Sequence, residues 1–137
     1  MKTIIKTLSM LLIGVFFVSA CKKDNTIKGN TTLTGKWLYA GSMISSGGPQ
    51  YWVKPTASNN KDYMELKSDG TMNWTSNNDF KKYTLIDSVT INMHNPDSSK
   101  YENFNYRIKG DSLALSPRGP VLCIEGCSTH FVKVNTN

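Results

Sequence analysis

The sixteen residues from Tyr101 to Ser116, YENFNYRIKGDSLALS, decide the fold. Phe104, Tyr106 and Ile108 fall at every second position, with Asn103, Asn105 and Arg107 between them. That period of two describes a strand with one face on a core and the other in water. Lys109-Gly110-Asp111 supplies turn residues, after which Leu113 and Leu115 alternate with Ser112, Ala114 and Ser116. Two half-buried strands joined by so short a turn form an antiparallel hairpin.

The same grammar extends in both directions. Ser68-Asp69-Gly70-Thr71 separates Tyr63–Lys67 from Met72–Thr75, a second hairpin. Ile86-Asp87-Ser88 joins Tyr83–Leu85 to a strand in which Val89, Ile91 and Met93 alternate with Thr90, Asn92 and His94. Asn95-Pro96-Asp97 stops that strand, because proline removes a ladder donor and Asn and Asp favour turns. Lys36–Ile44, Tyr51–Val53 and Thr129–Val134 bring the total to eight or nine short strands. Helix formers are scarce: past residue 20 there are three alanines and three glutamates, and no 3.6-period stripe. Even spacing and short hairpins predict an all-β domain, a small antiparallel up-and-down barrel of about eight strands, with a sandwich as the alternative.

The first twenty residues are of another kind. Lys2 and Lys6 precede an apolar run, Leu8 to Val18, that is too short for a bilayer-spanning helix of about 20 residues. A basic start, an apolar segment and small residues make a secretory signal peptide. Val18-Ser19-Ala20-Cys21 resembles the lipobox of bacterial lipoproteins, which implies cleavage before Cys21 and acylation of that residue. Two or more acyl chains, such as palmitate, give stable anchoring. Residues 1–20 are thus expected to be removed, residues 21–33 to form a polar lipidated tether, and residues 34–134 to form the domain. Lys22 follows the cysteine, where the inner-membrane retention signal of enteric bacteria has aspartate, so the expected location is the outer membrane, with either face open.

The charge changes meaning under this division. Sixteen Lys and Arg against ten Asp and Glu give +6. Setting aside Lys2, Lys6, Lys22 and Lys23 leaves 12 against 10, a balance of +2 with Lys81-Lys82 as the remaining adjacent pair. A nucleic-acid partner loses its electrostatic basis. Hydrophobic residues at 39% and aromatics at 10% suffice for a packed core and exclude a disordered chain.

Gly35-Lys36-Trp37, the hairpin around Asp69-Gly70, the segment Tyr106–Leu115 and the closing Phe131-Val132-Lys133-Val134 occur in an order that resembles the lipocalin-like domains of Bacteroidetes-type lipoproteins. The resemblance spans about residues 33–134. It implies an up-and-down barrel whose closed end is plugged by Trp37. In lipocalins proper an arginine of the last strand packs on that tryptophan; here the last strand offers Lys133. A barrel of this size is filled by side chains or holds one small ligand. Tyr39, Met64, Trp74, Met93, Phe104 and Tyr106 are the expected interior residues, as core or as the lining of an apolar pocket.

Two cysteines remain, in Cys123-Ile124-Glu125-Gly126-Cys127. An oxidising compartment makes a disulfide the expectation. The competing reading is a zinc site on Cys123, Cys127 and His130, with Glu125 or His94 as fourth ligand; a redox-active pair is a third. No phosphate loop, nucleophile elbow or His-x-x-x-His pair is present, and no serine has an identifiable base, so neither an enzyme nor a cofactor is expected. Asp87-Ser88-Val89 and Asp111-Ser112-Leu113 resemble O-glycosylation sites of exported Bacteroidetes proteins and equally read as turns. Two functions follow as expectations: non-catalytic binding of a small apolar or amphipathic ligand inside the barrel, or a filled barrel that contacts an envelope protein partner. Tyr51 and Trp52, between Gly and Pro residues, line a mouth, anchor a partner or belong to a covering strand.

Overall fold

The computed structural model describes residues 32–123 and 126–134. Nine strands occur in it: β1 (Gly35–Ile44), β2 (Tyr51–Val53), β3 (Tyr63–Leu66), β4 (Met72–Trp74), β5 (Lys82–Leu85), β6 (Thr90–His94), β7 (Tyr101–Lys109), β8 (Ser112–Gly119) and β9 (Ser128–Lys133). Among the described residues there is no helix. All pairings are antiparallel, and the sheet runs β4-β3-β1-β9-β8-β7-β6-β5. Its two edges meet: Met72 N–H donates to Lys81 O at 2.8 Å and Tyr83 N–H to Gly70 O at 2.8 Å. Eight strands therefore make a nearly closed up-and-down barrel, and β2 extends the sheet beside the second half of β1.

Strand direction gives the barrel two unlike ends. The short turns at Ser68–Gly70, Asp87–Ser88 and Gly110–Asp111 share one end with Thr32, where the described chain begins. The long connections, 45–50, 54–62, 75–81 and 95–100, with the described residues 120–123 and 126–127, lie toward the other. Side-chain caps hold the short turns: Asp69 Oδ1 accepts from Thr71 N–H at 2.9 Å and Asp87 Oδ1 from Val89 N–H at 2.8 Å. At the opposite end Asp97 Oδ1 accepts from Ser99 N–H at 3.0 Å. Hydrogen bonding to the charged form draws all three carboxylates below the usual range.

Inward positions follow the period of two. Trp37, Met64, Leu66, Ile91, Met93, Leu113, Leu115 and Phe131 are fully buried, drawn from five strands around the lumen. Each such side chain contributes roughly 1.5–3 kcal/mol through burial. Strand ends differ from the sequence expectation by a residue or two, and one difference is informative. Val89, expected on the inward face with Ile91 and Met93, is exposed, whereas Thr90 is buried. Thr90 sits on the outer face under Arg118, whose Nη1 donates to Thr90 Oγ1 at 2.6 Å and to Asn105 Oδ1 at 3.3 Å.

Candidate functional site at the ends of the barrel

The closed end is built on Trp37. Its Nε1–H donates to Leu33 O at 2.8 Å, and Leu33 itself joins the core. Lys133 Nζ lies 4.7 Å from the centroid of the Trp37 rings and donates to the carbonyl of Thr32 and, at 3.0 Å, to its Oγ1. The ammonium is therefore buried with a π face on one side and oxygens on another, which is how a lysine tolerates such a site. Burial pushes its pKa down, and Asp111 opposes that shift. Gly35 has φ +125°, and a Cβ there would stand 3.0 Å from Lys133 Cε, so the glycine before Trp37 leaves room for the lysine stem.

Above this floor the predicted interior residues occupy the lumen. Met64 and Met93 are fully buried and Trp74 and Phe104 nearly so; Tyr39 and Tyr106 are partly buried and pack against the core. Trp74 on β4 meets Phe104 on β7 at 6.0 Å and Phe131 on β9 at 5.9 Å, both edge-on. Tyr39 on β1 meets Phe131 at 6.2 Å. Tyr39 and Phe131 are cross-strand partners on the adjacent β1 and β9, whereas Trp74 on β4 reaches Phe131 and Phe104 on strands it does not pair with, so the four rings form a layer that crosses the lumen.

Three clefts lie on the open-end side of this layer. One, of about 220 Å³, is bounded by Tyr39, Ser42, Asp62, Trp74 and Thr129, and Tyr39 Oη and Ser42 Oγ are hydrogen-bonded at 2.9 Å. A second, of about 230 Å³, is bounded by Phe80, Glu102, Phe104, Pro117 and Val121, and a third, of about 290 Å³, shares Phe80, Glu102 and Val121 with it and extends to Asp79, Lys100 and Pro120. Glu102 is the residue sequence reasoning missed. It is buried, and its carboxylate accepts from Gly119 N–H at 3.2 Å and Val121 N–H at 3.1 Å, which secures the loop after β8. The signal was present, since Glu102 shares the inward parity of Phe104 and Tyr106.

Outside the barrel, Trp52 of β2 folds across β1. A Cβ on Gly41 would fall 2.5 Å from the Trp52 ring, so glycine makes the crossing possible. Trp52 then meets His130 of β9 edge-on at 4.9 Å. Ser128 Oγ stands 2.7 Å from His130 Nε2, a hydroxyl–imidazole pair that sequence spacing did not suggest. Burial, with a smaller contribution from Arg107, lowers the pKa of His130 and favours the neutral ring.

Cys123 and Cys127 are within disulfide-bonding distance, with Cα atoms 5.8 Å apart. Gly126 between them has φ +74°, and its carbonyl accepts from Gln50 Nε2 at 2.9 Å, tying this loop to the one before β2. Among the described residues no three His, Cys, Asp or Glu side chains converge on a metal-binding geometry. His94, offered as a distant zinc ligand, bonds through Nδ1 with Asn95 O at 2.9 Å and Ser98 Oγ at 3.2 Å. Ser88 and Ser112 are both exposed at the closed end. Cys21 and Glu125 lie outside the described residues. Comparisons with protein-family models, curated proteins and solved structures find no significant match.

Proposed function

We propose that this chain is a non-catalytic lipoprotein of the bacterial cell envelope, acylated on Cys21 and held at the outer membrane, whose filled barrel carries a protein-binding surface at its open end. The observation that carries the filled-barrel reading is the ring layer of Tyr39, Phe131, Trp74 and Phe104. An acyl chain or similar ligand would have to displace it to reach the floor. The lipoprotein reading rests on the signal segment and on cysteine directly after Val18-Ser19-Ala20. The near-balanced charge of the remaining chain supports a partner other than nucleic acid. An oxidising envelope compartment supports a formed Cys123–Cys127 disulfide.

A narrower ligand reading is favoured by the clefts at the open end. One is about 220 Å³, and the other two, about 230 and 290 Å³, share Phe80, Glu102 and Val121 and approach the roughly 300 Å³ at which small-molecule pockets usually begin. They suit one apolar or amphipathic group, and Tyr39, Trp74 and Phe104 would touch it. Met64, Met93 and Tyr106 are then core rather than lining. The Ser128–His130 pair is read as structural, because Trp52 packs edge-on against the imidazole. A serine-directed fluorophosphonate probe is expected to leave Ser128 unlabelled.

The deciding experiment is native purification from the source envelope, followed by intact-mass analysis for lipid, ligand and partner together. Acyl mass on Cys21, no stoichiometric small molecule and a co-purifying envelope protein support the proposal. A hydrophobic ligand bound one to one overturns the filled barrel, and an unacylated cysteine overturns the anchor.

A further inference from the structure

The closed end carries an apolar rim that the core does not use. On the inward side of the sheet, Leu85 continues the face of Tyr83, and Val89 that of Ile91. Both lie beyond Tyr83, whose N–H donates to Gly70 O and whose Oη donates to Lys67 O across the barrel's edges. Leu85 is 53% exposed and Val89 52%, with Ile86 at the tip between them 59% exposed. The turn is held firmly: Ile86 N–H donates to Thr90 O at 3.0 Å, and Asp87 is folded back onto Val89 N–H. The charges at this end, Lys36, Lys67, Lys109 and Lys133 against Glu65, Asp69, Asp87 and Asp111, cancel.

The chain enters the barrel at this same end. Lys133 holds Thr32 at the floor, and ten residues, eleven Cα-to-Cα steps, lie between Cys21 and Thr32. Fully extended, eleven steps reach at most about 40 Å. Attachment at this end places the closed end, rather than the open one, on the side of the lipid on Cys21. We infer that Leu85, Ile86 and Val89 rest in the interfacial region of the membrane that holds the anchor, which orients the barrel with its open end away from the lipid. This rests on the lipoprotein reading. Because the charges cancel, the contact is apolar and indifferent to lipid charge, and Asp87 stays at headgroup level with its carboxylate on the turn.

The test uses the full-length acylated protein in phosphatidylcholine nanodiscs. Ile86→Cys and, at the open end, Asn78→Cys each carry an environment-sensitive fluorophore; Val89→Cys repeats the first in case Ile86→Cys alters the turn. The mass of Cys21 is read first. With lipid present, the expected result is blue-shifted emission and several-fold weaker iodide quenching at positions 86 and 89 than at 78, unchanged when phosphatidylglycerol is added. Equal quenching at both ends, or stronger shielding at 78, overturns this inference and leaves the lipoprotein reading intact. Shielding that needs anionic lipid overturns its apolar basis. An unacylated Cys21 removes both.

Discussion

The closed and open ends of this barrel solve opposite problems. At the closed end, three short turns and a tryptophan floor leave little backbone to satisfy, and one lysine ties the first described residues to the last strand. At the open end, long connections are held by scattered devices: the Glu102 carboxylate, the Gln50–Gly126 hydrogen bond, the Cys123–Cys127 pair and the Trp52–His130 contact. Short turns and a buried floor are concentrated at one end, and long connections at the other. A rigid base with adaptable loops is the common layout of a binding scaffold.

The sharpest way to break this comparison is to remove the floor. Trp37→Ala takes a fully buried indole from beneath Lys133 and is expected to cost about 3–5 kcal/mol, read from urea unfolding. Lys133→Ala comes next, at about 2–3 kcal/mol, because it removes a cation–π contact and a charge-assisted hydrogen bond together. Lys133→Arg should recover most of that loss, since a guanidinium stacks on the same ring. If Lys133→Ala costs nothing, the closed end is not locked as described. Opening the Cys123–Cys127 loop by a double Cys→Ala change should cost about 2 kcal/mol, the closure entropy of so small a loop. Hydrogen exchange should then rise in the loop before β9 and stay unchanged around Trp37.

What was legible in the sequence follows the range of the interactions. The Tyr101–Ser116 hairpin was readable because alternation and turn residues agree within sixteen positions. The barrel was readable because successive hairpins leave few other ways to cover one apolar face each. Thr90 was not, since its burial comes from Arg118, 28 residues away. Nor was the lock on Thr32, whose partner lies 101 residues along the chain. Trp52 reads as an exposed anchor in isolation, and only the pairing of β1 with β2 and β9 shows why Gly41 must lie beneath it. The ring layer escaped as well: alternation says which side of a strand faces inward, not whether side chains meet across the lumen.

The smallest expected effect separates the two ends by pH. His130 is held below its ordinary pKa in the folded protein, chiefly by burial. The unfolded chain therefore takes up a proton first as pH falls past about 6.5. The stability tied to the neutral ring is present above that pH and is lost below it, down to the folded pKa. Asp69 and Asp87, at the closed-end turns, are also depressed, by hydrogen bonds to their charged forms. Their contribution is present above the unfolded carboxylate value of about 3.9 and is lost only as pH falls further. Acid should thus loosen the strand that carries His130 before it loosens the short turns. Thermal melts from pH 7.5 to 5 should show a small decline in the wild type that His130→Gln flattens. Hydrogen exchange at pH 5.5 should place the change around Ser128–Phe131, with Thr71 and Val89 protected as at neutral pH. A decline that persists in His130→Gln, or that begins at the turns, would mean that the two ends do not respond to acid separately.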